Sequence, residues 1–237
     1  MPTALFIHAH SEGDAFVTAM RDRLVADLTE AGYQAVHSDL YAMGFNPVLS
    51  PADFPQRKND SHLTYALEQR HGYDTGTLPP DIAQEIEKVM AADLLVFTFP
   101  VFWFSVPAIL KGWIDRVFVS GPFYGGRRIY DQGGLTGKRA IAAFSLGGRD
   151  HMFGADSLHG ELEAGMLKHF LQGTLGYVGL EVLQPFVAYH TPYLTDDQRA
   201  DILEDLALHA RNLDKVDSLP MPRLDAFDRE FRRLGLS

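Results

Sequence analysis

The sequence predicts an α/β fold with a doubly wound, mostly parallel five-stranded sheet in three layers. Three observations carry this. Apolar runs of strand length alternate with segments of helical period along most of the chain. The run DLLVFTF (93–99) is almost continuously apolar, as a strand buried on both faces must be. Helix-stop signals such as Gly32 separate the two kinds of segment.

The elements follow in order. TALFIHA (3–9) reads as a first buried strand. Residues 14–31 carry Phe16, Met20, Leu24 and Leu28 on one helical stripe. QAVHSDL (34–40) is a second strand, and residues 56–76 read as a weakly patterned polar excursion. Residues 79–92 form a helix with proline in the first turn, where its missing N–H costs nothing. After strand 93–99, a helix starts near Pro107 with Ile109, Leu110, Trp113, Ile114, Val117 and Phe118 on a wide stripe. KRAIAAFSL (138–146) is the fourth strand, 162–175 a helix, and LEVLQPFVAY (180–189) the fifth strand. A last helix, 195–213, has Thr195 as N-cap and Asp196 and Asp197 in its first turn. Residues 214–237 read as a C-terminal extension rather than an independent domain.

Composition narrows the function. A net charge of −10 argues against nucleic acid as partner. With no cysteine, disulfides, thiolate nucleophiles and iron–sulfur clusters are excluded. No apolar run is long enough for a membrane span and the N-terminus lacks a signal peptide, so a cytoplasmic protein is expected.

In such sheets ligands bind beyond the carboxyl ends of the strands, so the loops there are the place to look. The first, HAHSEGDAF, lacks both the G-x-G-x-x-G and the P-loop pattern, yet leads into a helix N-terminus that suits an anion. Alternatively, Ser11 or Asp14 merely caps that helix. The second, FPVFWFSVP (99–107), sets three aromatic residues between prolines, where they either fill a cleft or form a wall for a flat ligand. The third, SLGGRDHMF (145–153), places two glycines where a backbone can approach a ligand closely. One ligand that is flat at one end and phosphorylated at the other satisfies all three. A flavin nucleotide fits.

These loops, with EKVMAADLLVFTFPVFWFSVPAILKGWIDRVF, LHGE and GLEVLQPFVAY in this order, closely resemble the flavin-dependent NAD(P)H:quinone oxidoreductases of the DT-diaphorase type over residues 1–213. The resemblance implies a flavodoxin-like flavin-binding domain, FAD (FMN is the lesser choice), NAD(P)H as donor, and a homodimer with shared active sites. It also implies ping-pong hydride transfer through flavin N5 to a quinone, nitroaromatic or azo acceptor. His10 and Phe16 would line the pyrophosphate and adenosine part of FAD, and Arg199 its adenine end. Pro100, Val101, Phe102, Trp103 and Phe104 would run along the isoalloxazine, with Ser145, Leu146, Gly147 and Gly148 on the other edge. Trp103, Phe104, Gly126, Met152 and Phe153 would bound the substrate pocket. His159 would balance charge on the reduced flavin, and Tyr124 would cover the pocket from the partner subunit.

The chain departs from the family pattern at several positions. Phe153 replaces a proton-relaying tyrosine, and a phenyl ring cannot donate. Gly126 replaces a second gating tyrosine, and Val17 and Thr64 replace amides at the adenosine end. Residues 160–172 run about two residues longer than the pattern. Arg127 and Arg128 are candidates for a donor 2′-phosphate. Two other readings compete with the enzyme: a redox-sensing ancillary subunit of a potassium efflux system, and a plain flavodoxin-type electron carrier.

Overall fold

The computed structural model describes residues 1–235. Strands β1 (Thr3–His8), β2 (Gln34–Asp39), β3 (Leu94–Pro100), β4 (Arg139–Ser145), β5 (Glu181–Val182) and β6 (Phe186–Ala188) form one sheet. The order is β2-β1-β3-β4-β5, with β6 also on β4, and every pairing is parallel. The sheet has six strands rather than five because the run 180–189 is interrupted. Gln184 turns its N–H to the Asp217 carbonyl, and Pro185 has no N–H to give.

Helices cover both faces. On one, α1 (Phe16–Glu30) and α6 (Asp196–Arg211) bury Met20, Leu24, Leu28, Leu206 and Ala210 against Ala4, Phe6, Val96 and Ile141. On the other, α3 (Pro80–Ala91) and α4 (Ala108–Val117) bury Ile82, Ile86, Leu110, Trp113 and Val117 against Leu5, Ile7, Leu95 and Phe97. Strand residues of alternating parity thus serve opposite cores, which explains why β3 is apolar throughout. Thr195 caps α6 as expected: its side chain accepts from the Gln198 N–H, and Gln198 returns a bond to the Thr195 N–H.

Two segments differ from the sequence expectation. The polar excursion contains a helix, α2 (Tyr65–Thr75), ended by Gly76 at φ 67°. Its buried residues include Glu68 and Gln69, so it shows no apolar stripe. Glu68 instead accepts from the Lys58 and Asn59 N–H groups, and Gln69 donates to the Asp115 carbonyl. Residues 162–176 are not one α-helix. Two π turns, Leu162–Met166 and Leu171–Gly176, flank a single α turn, α5 (Lys168–Phe170). Such turns are where helices store inserted residues, in keeping with the extra length read from the sequence. The extension packs onto the body: Leu224 is buried and Leu219 and Met221 lean on the core. Its positions 236 and 237 lie outside the described residues. No helix among the described residues is long and apolar enough to cross a membrane.

Candidate active site

The carboxyl ends of β1, β3, β4 and β6 open onto one edge of the sheet, and the candidate residues gather there. The N-terminus of α1 has no side-chain cap: its N-cap is Ala15, so neither Ser11 nor Asp14 blocks it. The first N–H groups of the helix are left free, the condition for an anion site. His10 Nδ1 accepts the Glu12 N–H at 3.0 Å, which leaves Nε2 as the donor. Phe16 lies under the Arg199 guanidinium, 5.6 Å from its ring centroid, so these two predicted residues do meet.

The sequence reading missed a residue that supports this loop. His8 is buried, shares a 2.7 Å hydrogen bond with Thr98 Oγ1, and lies 3.3 Å from Thr18 Oγ1. Thr18 donates on to the Glu12 carbonyl at 2.8 Å. The connectivity makes Nδ1 the acceptor and Nε2 the donor, giving a relay from β3 to the first loop. The signal was a lone imidazole in an apolar strand. Burial first, and the Arg21 cation second, lower its pKa from 6.5 to about 4. The unfolded chain therefore takes up this proton near 6.5 and the folded chain only near 4. The stability it contributes is full above pH 6.5 and drains as pH falls toward 4, by about 3 kcal/mol. Urea unfolding at stepped pH should show that loss in the native protein, and a shallower slope in His8→Gln. Equal slopes would clear His8 of the effect.

The aromatic loop is a tight turn. Phe102 and Ser105 exchange two main-chain hydrogen bonds of 3.0 Å, and the two residues between them have positive φ: 51° for Trp103 and 56° for Phe104. Glycine or asparagine ordinarily fills such mirror-image turns, so aromatic residues here store roughly 1–3 kcal/mol of strain each. Trp103 is 96% exposed, which removes the cleft-filling interpretation for it.

A cleft of about 260 Å³ is lined by Val101, Trp103, Phe104, Leu146, Gly147, Gly148, Phe153, His159 and Leu162. Eight of these nine are predicted site residues. His159 sits between Phe104 and Phe153, each ring centroid 5.2 Å from its own. The main-chain N–H of His159 donates to the Met152 carbonyl at 2.9 Å, which ties Met152 to the same loop. Pro100 and Ser145, paired in register at the ends of β3 and β4, form the base of the two cleft loops.

The sequence from residue 2 to 213 matches the flavodoxin-like fold family model. The chain belongs to that family. It is 39% identical over 202 residues to NAD(P)H dehydrogenase [quinone] 1 of Rattus norvegicus, covering 85% of this chain and 73% of the relative. It is 33% identical to the ribosyldihydronicotinamide dehydrogenase [quinone] of Mus musculus, covering 91% and 93%. A solved structure of a candidate quinone reductase from Klebsiella pneumoniae superposes with a TM-score of 0.91 at 31% identity, covering 96% of this chain and 91% of that one. The resemblance read from the loops therefore holds, and the chain is an oxidoreductase of the flavodoxin-like family.

A family flavin fits the residues present. The backbone N–H groups of Trp103, Phe104, Gly147 and Gly148 donate to no protein group among the described residues. They stand ready for a ring edge rich in acceptors. The uncapped α1 terminus offers N–H groups to phosphate, and the Phe16–Arg199 pair offers a flat cationic surface beside it.

Two predicted residues lie elsewhere in the chain. Tyr124 lines a separate cleft with Tyr65, Gln69, Ile114, Phe118 and Tyr177, and packs at a tilt on Tyr177 with ring centroids 5.7 Å apart. Burial raises its hydroxyl pKa above the ordinary phenol value, so it stays a donor at neutral pH. Gly126 sits in the same loop at φ 58°, which strains any other residue although the space where a Cβ would stand is open. Arg127 is not free for a phosphate. It donates to the Asp228 and Leu224 carbonyls and lies 5.2 Å over the Phe231 ring, holding the extension against the Tyr124 loop. Arg128 donates to the Gly121 carbonyl at 2.8 Å. Among the described residues no group of three His, Cys, Asp or Glu is placed to hold a metal ion.

Proposed function

We propose that this protein is a cytoplasmic, FAD-dependent NAD(P)H:quinone oxidoreductase acting as a homodimer by a ping-pong mechanism. The observation that carries it is the cleft in which the strained Trp103–Phe104 turn, the Gly147–Gly148 loop and His159 meet at the sheet edge. The bound flavin would supply two-electron chemistry, with a hydride accepted from NAD(P)H and passed to the acceptor. The net reaction then needs one more proton to make the hydroquinone.

The chain's own residues do the rest. Trp103 and Phe104 give a flat apolar wall on which nicotinamide and quinone take turns. Val101, Leu146 and Leu162 line the cleft with apolar side chains that disfavour water. With Phe153 unable to donate, His159 holds the proton at its imidazole alone, and an imidazolium also offsets negative charge that arrives with the hydride. The 96% exposure of Trp103 and the separate position of Tyr124 favour a dimer in which the partner's Tyr124 closes the cleft. A quinone pocket with a stacking wall favours the enzyme over an electron carrier, which needs none. The named relatives favour it over an ancillary subunit.

The test is extraction of the bound flavin from purified protein, with chromatography to separate FAD from FMN. Activity is then compared with NADH, NADPH and dihydronicotinamide riboside against menadione. Yellow protein releasing FAD and turning over menadione is expected. Colourless protein that takes up neither flavin would end this reading.

A further inference from the structure

We infer that Ser105 and His169 form a latch that fixes the Trp103–Phe104 turn, which makes His169 a positioning residue for the acceptor cleft. This rests on the proposed reading of that cleft. The turn needs such a latch. Its two central residues have positive φ and are aromatic, so the geometry is not their own preference. Trp103 is 96% exposed and has no packing to hold it. Phe104 is 42% exposed and packs at a tilt against the half-buried His159. Beyond the two main-chain bonds between Phe102 and Ser105, the anchor on the turn is the 3.0 Å hydrogen bond between Ser105 Oγ and His169 Nε2.

His169 is itself held. Its Nδ1 lies 2.9 Å from the Met166 carbonyl, which only accepts, so Nδ1 carries the proton. In the neutral ring Nε2 then accepts, and the Ser105 hydroxyl donates to it. The His169 carbonyl accepts the Thr174 hydroxyl at 3.0 Å. The next residue, Phe170, is buried edge-on against Phe97 and Phe99, each at 5.4 Å. Those two residues belong to β3, the strand that launches the turn. The latch thus closes a loop: β3 positions Phe170, α5 positions His169, and His169 returns to Ser105 at the end of the turn. Losing it frees Phe104 to swing relative to His159 and lets Trp103 sample other orientations. The π turns on either side of α5 set the height at which His169 reaches Ser105.

The experiment uses His169→Ala, Ser105→Ala, the double variant, and His169→Gln, whose amide can still accept from Ser105. In flavin-loaded protein, each single alanine variant should raise KM for menadione about 3- to 10-fold with kcat within about twofold. The double variant should be no worse than either single one, because both remove one interaction. His169→Gln should recover most of the loss. A second readout needs no activity. Trp113 is fully buried, so iodide-quenchable emission from the flavin-stripped full chain reports Trp103. Its anisotropy should fall in both alanine variants and recover in His169→Gln, while circular dichroism stays unchanged. Wild-type anisotropy and KM in both variants, or effects that add in the double variant, would overturn the latch. If the protein binds no flavin, the proposed function fails but the anisotropy arm still decides the latch.

Discussion

Replacing His159 by alanine is expected to slow turnover by about 10- to 100-fold while leaving flavin bound. The imidazole is half-buried between the Phe104 and Phe153 rings and its side chain has no hydrogen-bond partner among the described residues. A side chain held by two rings and bonded to nothing is placed for a ligand rather than for the fold. Its removal should therefore cost little stability. With Phe153 in place of a donor, no second side chain of the same subunit that lines the cleft is placed to deliver the proton, so most of the loss falls on His159. Stopped-flow measurement of flavin reduction by NAD(P)H and of reoxidation by menadione would show which half-reaction slows. The visible flavin spectrum would confirm that cofactor binding is intact. Unchanged rates in both halves would remove His159 from the mechanism and leave the cleft acting by stacking alone.

Much of this site was legible because its signals are local. The strand DLLVFTF, the prolines around Phe102, Trp103 and Phe104, and the paired glycines 147 and 148 each declare themselves within ten residues. Alternation of strands and helices then brings their ends to one edge, and seven of the nine cleft residues follow, with His159 added by the family resemblance alone. What the sequence hid depends on distant partners. Helix α2 was missed because it buries Glu68 and Gln69, whose partners are main-chain groups at Lys58, Asn59 and Asp115. The Ser105–His169 bond spans 64 positions and leaves no periodic trace. The positive φ angles at Trp103 and Phe104 are also silent, because no glycine marks them. Arg127 read as a candidate for a donor 2′-phosphate because no local signal shows the extension packing on it, about a hundred positions away in sequence.

The largest stability effect should come from Arg116→Ala, with a loss of about 3–5 kcal/mol. The opening of α4 was readable as an apolar stripe, but the helix is fixed in place by residues far away in sequence. Arg116 and Asp53 are nearly fully buried and form a two-pronged pair, Nη2 to Oδ1 at 2.8 Å and Nε to Oδ2 at 3.1 Å. Nη1 reaches the Asn46 carbonyl at 2.9 Å and Asp81 at 2.7 Å, and the guanidinium lies over Phe45. Removing the cation strands the Asp53 carboxylate in a dry pocket, and that, more than the lost attraction, sets the cost. Asp81→Ala removes a partner that is 44% exposed, where water can replace it, and should cost no more than about 1 kcal/mol. By thermal unfolding, a loss of that size in a chain this long lowers Tm by about 10 °C for Arg116→Ala and a few degrees at most for Asp81→Ala. Equal shifts would mean that charge number rather than burial governs the cluster. The same loop meets α4 at Gly112, where an added Cβ would lie 2.1 Å from the Pro47 carbonyl oxygen. Arginine and glycine four residues apart thus clamp one loop to one helix. That clamp sets the direction in which α4 leaves Pro107, and with it the far end of the aromatic loop that bounds the cleft.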